Sequence, residues 1–159
     1  MRDADFERLV RRHGQDLYAF LLYRTGDHWL AEELLQDALE RAYRARTRFD
    51  PRRSSEKTWL ISIALNRWKD VLRKHANESV ALEKLSRDTP PPEGMERVEE
   101  RRALLTAMEG LAPDEREVLA LVYGADLTAK QVAALLDVPV TTIQGRVYRG
   151  MRRLRDTLE

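Results

Sequence analysis

The chain has 159 residues, no cysteine and a formal net charge of +1. That length suits one ordinary domain or two small ones, and the lack of cysteine excludes a disulfide framework and a thiolate zinc site. No apolar run approaches membrane-spanning length and the N-terminal stretch is acidic and amphipathic, unlike a signal peptide, so a soluble cytoplasmic protein is expected.

In chain order, a first helix is predicted from about Ala4 to Arg24, burying Phe6, Leu9, Val10, Leu17, Phe20 and Leu21. Gly26 suits its C-terminal end, where a left-handed residue is usually needed. Asp27 can cap a second helix running to about Thr47, with Ala31, Leu34, Leu35, Ala38 and Ala42 as its apolar stripe. Its outward residues are Glu32, Glu33, Gln36, Asp37 and Glu40. After the polar break Asp50-Pro51-Arg52-Arg53-Ser54-Ser55, a third helix spans about Glu56 to His75. It buries Leu60, Ile63, Ala64, Val71 and much of Trp59 and Trp68, and offers Ser62, Asn66, Lys69, Asp70, Arg73 and Lys74 to its surroundings.

Periodicity fades after residue 76, and Thr89-Pro90-Pro91-Pro92-Glu93-Gly94 is the clearest linker signal. A short helix at Val80–Leu85 is compatible with the pattern inside that stretch. Helical patterning resumes near Met95 and runs to Met108. A new helix then starts at Pro113, with Asp114 and Glu115 in its first turn, and ends at Gly124. Thr128 caps a helix with Val132, Ala133 and Leu136 on its apolar face. Asp137-Val138-Pro139 breaks it, because Pro139 has no N–H to donate and restricts the residue before it. A last stripe runs through Val140, Ile143, Val147, Met151 and Leu154. Opposite it stand Thr141, Thr142, Gln144, Gly145, Arg146, Tyr148, Arg149, Arg152 and Arg153, a layout that fits a DNA-reading helix-turn-helix.

The expected fold is therefore all-α: two small helical domains joined by a flexible linker, the second ending in a helix-turn-helix. The divisions fall at residues 1–76, 77–95 and 96–159. The near-neutral total charge hides an alternation of −4 over residues 1–40, +8 over 41–75, −6 over 76–138 and +3 over 139–159. Two basic blocks between acidic ones suit a chain with two nucleic-acid contacts and other surfaces for protein partners. Solvated helix faces suffice for the acidic blocks, but the densely basic block fits that reading poorly, since its charges repel unless something neutralises them.

Two separated blocks resemble the extracytoplasmic-function subfamily of bacterial RNA polymerase sigma factors. The first is Ala31-Glu32-Glu33-Leu34-Leu35-Gln36-Asp37-Ala38, followed by Trp59-Leu60-Ile61-Ser62-Ile63-Ala64-Leu65-Asn66 and Asp70-Val71-Leu72-Arg73. The second runs from Leu111-Ala112-Pro113-Asp114-Glu115-Arg116-Glu117-Val118-Leu119 through Val138-Pro139-Val140-Thr141-Thr142-Ile143 to Arg146-Val147-Tyr148-Arg149. A lone helix-turn-helix is weak evidence; both blocks in this order and spacing are strong.

The resemblance implies that residues 1–76 form the domain that binds core polymerase and the minus-ten element. Core polymerase would be met by Glu32, Glu33, Gln36, Asp37 and Glu40, a face that on its own reads equally as solvated acids favoured near a helix N-terminus. The minus-ten element would be held by Arg52, Arg53, Asn66, Lys69, Asp70, Arg73 and Lys74, with Asn66 presenting its amide to an unstacked base while basic groups hold the backbone. Trp59 and Trp68 lie at core spacing and are assigned to packing. Residues 96–159 would lay the last helix in the major groove of the minus-thirty-five element. There Thr141, Thr142, Gln144, Gly145, Tyr148 and Arg149 would face bases or nearby backbone, Arg146 or Arg149 would pair with guanine or grip phosphate, and Arg152, Arg153 and Arg155 would be phosphate contacts or solvated charge. Many relatives are held inactive by an anti-sigma factor, commonly gripping both domains, which makes such a protein a candidate partner.

Three departures from the family pattern stand out: Glu56 three residues before Trp59, Gln144-Gly145 in the reading helix, and a basic run that ends at Lys74-His75. No enzyme, metal or cofactor is expected. His13, His28 and His75 are scattered on different helices, and no glycine-rich phosphate loop follows a strand. The main rival is a stand-alone dimeric helix-turn-helix regulator, which accounts for the last domain but not for the first block.

Overall fold

The computed structural model describes residues 1–77 and 95–159. Among these all regular structure is helical. The order is α1 (Asp3–Thr25), α2 (His28–Arg44), a 3₁₀ turn (Arg46–Arg48), α3 (Glu56–Asn77), α4 (Met95–Glu109), α5 (Pro113–Leu119), a π-helical turn (Ala120–Gly124), α6 (Ala129–Leu136) and α7 (Val140–Leu158). The Val80–Leu85 helix, the proline-rich stretch and nearly all of the 77–95 tether lie outside the described residues.

The helix ends follow from local chemistry. Gly26 ends α1 in the left-handed region at φ 73°, and its N–H donates to the Leu22 carbonyl at 2.7 Å. Asp27 turns the chain directly into α2, its carboxylate accepting from the N–H groups of Trp29 and Leu30 at 2.9 and 3.2 Å. α2 stops at Arg44, three residues short of the sequence-based end, and the chain tightens into the 3₁₀ turn. Ser55 starts α3: the Thr58 N–H donates to its hydroxyl oxygen at 3.1 Å. Thr128 and Gln131 make a reciprocal capping box on α6, and Asp137 closes that helix at φ 56° before Pro139 opens α7.

In the first half, α2 packs against both α1 and α3. Its core holds Leu9, Leu17, Phe20, Leu21, Leu34, Ala38, Ala42, Leu60, Ile61 and Ala64. Ile61, not Ile63, is the fully buried isoleucine of α3; Ile63 packs at the margin. Trp68 is buried as expected, whereas Trp59 is half-buried and meets Phe49 at 5.2 Å between ring centroids, tying the basic loop to α3. In the second half, α7 packs on α5, α6 and α4. Ile143, Val132, Val118 and Leu121 are fully buried, and a smaller cluster of Ala107, Met108, Leu111, Leu119 and Leu154 closes the far side.

The larger core does not stop at the border between the halves. It runs from α1 into Val118, Ala120, Leu121 and Ala125. Leu22 and Arg24, which do not belong to the single apolar stripe read from the sequence, are both buried, and Arg24 lies 3.6 Å from Glu117 of the second half.

Candidate nucleic-acid and protein interfaces

Three surfaces carry the residues singled out by sequence. On α2, Glu33, Gln36 and Glu40 are exposed, and Glu32 and Asp37 are partly covered. Asp37 is engaged across the helix pair, accepting from Arg67 Nε of α3 at 3.0 Å. Glu40 pairs with Arg44 one turn on, at 2.5 Å. Trp29, in the first turn of the same helix, is 46% exposed. It lies edge-on to His28, whose Nδ1 is 2.5 Å from the Tyr18 hydroxyl. Sequence reasoning passed over Trp29; the available signal was a tryptophan outside the Ala31/Leu34/Leu35/Ala38 stripe.

The second surface is the 49–55 loop with the outer face of α3. Arg52 and Arg53 are exposed, and the loop is held by Asp50, which accepts from the Arg52 N–H at 2.9 Å and from the Arg53 N–H through its carbonyl at 3.0 Å. Asn66, Lys69 and Arg73 follow at helical spacing along one face, with Lys74 beside them, and all four are exposed. Asn66 has no hydrogen-bond partner among the described residues, so both its donor and its acceptor are available. Asp70 sits differently from its basic neighbours. Its carboxylate accepts from Arg41 Nη1 of α2 at 3.1 Å and is also bound by Arg73. The hydrogen bond from Arg41 holds this carboxyl below the usual range, with Arg73 acting in the same direction. Asp70 therefore orients Arg73 and clasps α2 to α3, while Asn66, Lys69 and Lys74 face outward.

Glu56 also has a place. It meets Arg12 and His13 of α1, each at 3.6 Å, so an acid at this unusual position pins the start of α3 to α1.

The third surface is α7. Thr141, Gln144, Tyr148, Arg149, Arg152 and Arg153 are exposed; Thr142, Gly145 and Arg146 are partly covered. Tyr148 is the most open of the large apolar residues among those described, at 66%. Three of the five arginines of α7 are aimed by acids of α5. Arg146 lies 3.4 Å from Asp114, and Arg149 and Arg153 each lie 3.6 Å from Glu115, whose side chain is only 5% exposed. The Glu115 carboxylate also accepts from the Ala112 N–H at 3.4 Å. A buried carboxylate thus holds two guanidinium groups on the helix face expected to meet DNA. Arg152 has no ion pair among the described residues.

Among the described residues no cluster of three or more His, Asp or Glu side chains is arranged to hold a metal, and no helix is long and apolar enough to cross a membrane.

Comparison with known proteins identifies both halves of the chain. Residues 9–78 match sigma-70 region 2, and residues 101–154 match sigma-70 region 4. The chain is 29% identical to the ECF RNA polymerase sigma factor SigM of Bacillus subtilis, over 94% of this chain and 92% of that protein. It is 30% identical to the RNA polymerase sigma factor CarQ of Myxococcus xanthus, over 96% of this chain and 88% of that protein. Among solved structures, the sigma factor RpoE of Bartonella quintana, in complex with the anti-sigma factor NepR, aligns with a TM-score of 0.82 at 25% identity. That alignment covers 97% of this chain and 96% of RpoE, so the two proteins share the arrangement of both halves.

Proposed function

The chain belongs to the extracytoplasmic-function sigma factors of bacterial RNA polymerase, and we propose from that membership which of its surfaces performs which task. As a sigma factor it binds core RNA polymerase and directs it to specific promoters for transcription initiation. Residues 1–76 form the core-binding and minus-ten domain, and residues 96–159 the minus-thirty-five domain.

The acidic outer face of α2, with Glu32, Glu33, Gln36, Asp37 and Glu40, docks on core polymerase, and the exposed ring of Trp29 extends that face. Arg52, Arg53, Lys69, Arg73 and Lys74 hold the backbone of the opened strand, and Asn66 reads an unstacked base with its amide. Asp70 acts by holding Arg73. On α7, Gln144 is suited to a bidentate contact with adenine and Arg149 to guanine or phosphate, each such base contact discriminating by about 1–3 kcal/mol. Thr141, Thr142, Gly145, Arg146 and Tyr148 line the groove side, and Arg152 and Arg153 reach phosphates. The chemistry of nucleotide addition is left to the polymerase, and the chain works in the cytoplasm without a cofactor. An anti-sigma factor is a fitting negative regulator, since RpoE, which shares this arrangement, is found with NepR.

The observation that carries this division is the outer face of α3, where the amide of Asn66 stands among exposed cations with no partner among the described residues, on the helix that the arginine loop leads into. A dimeric regulator leaves that face without a task.

The test is co-purification with sigma-free core polymerase, followed by selection of initiating promoters from a library. Asp37→Arg is expected to reduce core binding about tenfold or more with helicity unchanged. Wild-type chain that fails to bind core but binds palindromic DNA as a dimer would overturn the reading in favour of a repressor.

A further inference from the structure

Side chains on a helix lean toward its N-terminus, so a long side chain covers the residue four positions before it. On α7 this lays Arg149 over Gly145, one of the positions at which the chain departs from the family pattern. A Cβ at Gly145 would stand 3.3 Å from Arg149 Nη1, a closer approach than a methyl carbon and a guanidinium nitrogen make in ordinary packing. Apart from its chain neighbours and the helix backbone, that guanidinium is all such a Cβ would meet within 4 Å among the described residues. The space left by the missing side chain is therefore the space that Arg149 uses.

The other edge of the same guanidinium is held from α5. Arg149 Nε lies 3.6 Å from one oxygen of Glu115, and Arg153 Nε lies 3.6 Å from the other. Glu115 comes this near because α5 and α7 touch at Gly150, where a Cβ would stand 2.8 Å from Leu119 Cδ1 and 3.5 Å from Glu115 Cβ. The carboxylate accepts from the Ala112 N–H at 3.4 Å, which ties it to the start of its own helix. Being nearly buried, it is poorly screened, and the two guanidinium groups balance its charge.

With Nε turned to Glu115, the two Nη groups of Arg149 remain as donors, and neither makes a hydrogen bond among the described residues. Two N–H donors side by side in one plane match O6 and N7 of guanine in the major groove. A guanidinium free to swing serves any phosphate equally well, and phosphate contacts carry no sequence information directly.

We propose that Gly145 and Glu115 are positioning residues for base selection: together they lay Arg149 back along α7, with its Nη donors free, so that it reads a guanine and does not merely grip phosphate. The inference rests on the reading of α7 as the helix that meets the minus-thirty-five element. A methyl or hydroxymethyl group at 145 takes away the space under the guanidinium, and loss of the Glu115 charge takes away its hold. Neither change disturbs the helices. Alanine is a better helix residue than glycine, and a glutamine at 115 can still accept from the Ala112 N–H.

The test uses holoenzyme reconstituted from the full chain and core polymerase, with initiating promoters selected from a library randomised over the upstream element. Arg149→Ala defines the position concerned, as the one where a wild-type preference for guanine of about tenfold or more disappears. Gly145→Ala and Gly145→Ser are expected to reduce the preference there by about fivefold or more, and Glu115→Gln by about threefold, with the other positions keeping the wild-type bases. Adding Gly145→Ala to Arg149→Ala should change nothing further at that position, because the glycine acts through the arginine. The urea midpoint of Gly145→Ala should be at or above that of the wild type. Gly145 variants that keep the guanine preference, or that weaken every position alike, would overturn the inference. So would a further loss in the double variant, or a wild type that selects an upstream element with no guanine dependent on Arg149. A wild type that selects no upstream element would overturn the assignment of α7, and the inference with it.

Discussion

The two helices proposed to carry the DNA-facing residues are prepared in opposite ways. On α3, Asn66, Lys69 and Lys74 have no internal partner among the described residues, and only Arg73 is held, by Asp70. On α7, Arg146, Arg149 and Arg153 are all engaged by Asp114 or Glu115, while Arg152 has no counter-charge among the described residues. Stored orientation suits a helix that reads intact duplex at fixed positions, because ordering long side chains in advance lowers the entropy lost on binding. Freedom suits a surface that must receive a strand whose bases have just left the stack, where backbone charge and local adaptation matter more.

The contrast can be broken at its base by removing what holds each helix in place. Leu60 anchors α3 and Ile143 anchors α7, and both are buried to within 1% of complete. Leu60→Ala and Ile143→Ala are each expected to cost about 2–5 kcal/mol in urea unfolding followed by circular dichroism, with loss of DNA binding as a consequence. A cost under about 1 kcal/mol for either would mean that its helix is not positioned by that side chain. A smaller effect sharpens the comparison within α7. Arg152→Ala should lower the salt dependence of duplex binding by about one phosphate contact, whereas Arg146→Ala, already balanced by Asp114, should change that slope by less than half as much. Equal slopes for the two would show that internal pairing does not set which arginines reach phosphate.

The smallest expected effect concerns the clasp between α2 and α3. The Asp70 carboxyl is held below its usual range by Arg41 and Arg73. A group whose folded value is depressed contributes stability above its unfolded value, and that contribution fades as pH falls through the folded one. Wild type should therefore lose a little more stability than Asp70→Asn when the pH is taken from neutral to below about 4, near the unperturbed carboxylate range. Parallel curves for the two would remove Asp70 from the clasp.

Much of the architecture was legible because it depends on local chemistry. The Gly26 stop, the Asp27 cap, Pro113 in the first turn of α5, and the break at Asp137-Val138-Pro139 each occur where the sequence implies, since each is decided by one or two residues and their immediate backbone. What escaped depends on distant neighbours. Ala120–Gly124 continues a helical pattern, and nothing in those five residues announces a π turn; it exists where the second half seats on Phe20 and Tyr23. The burial of Arg24 beside Glu117 has the same origin, although three consecutive apolar residues at Phe20, Leu21 and Leu22 were a sign that α1 is covered on more than one side. Glu56 looked anomalous only until Arg12 and His13 of another helix were beside it. On the three surfaces, most of the polar residues read as outward-facing are exposed, but their pairing was not readable. The guanidinium groups of Arg149 and Arg153 share one buried carboxylate that is more than thirty residues away in sequence.

The division of labour between α3 and α7 is tested most directly by following Asn66→Ala and Arg149→Ala on one promoter selected by the wild type. Permanganate reactivity of unpaired thymines reports strand opening, and protection of the upstream element reports closed-complex binding. Asn66→Ala should reduce opening about tenfold with upstream protection retained, and Arg149→Ala should weaken upstream protection by about 1–3 kcal/mol while leaving opening efficient once the complex is saturated. If both variants lose the two signals in the same proportion, with helicity intact, the two helices do not divide the promoter between them.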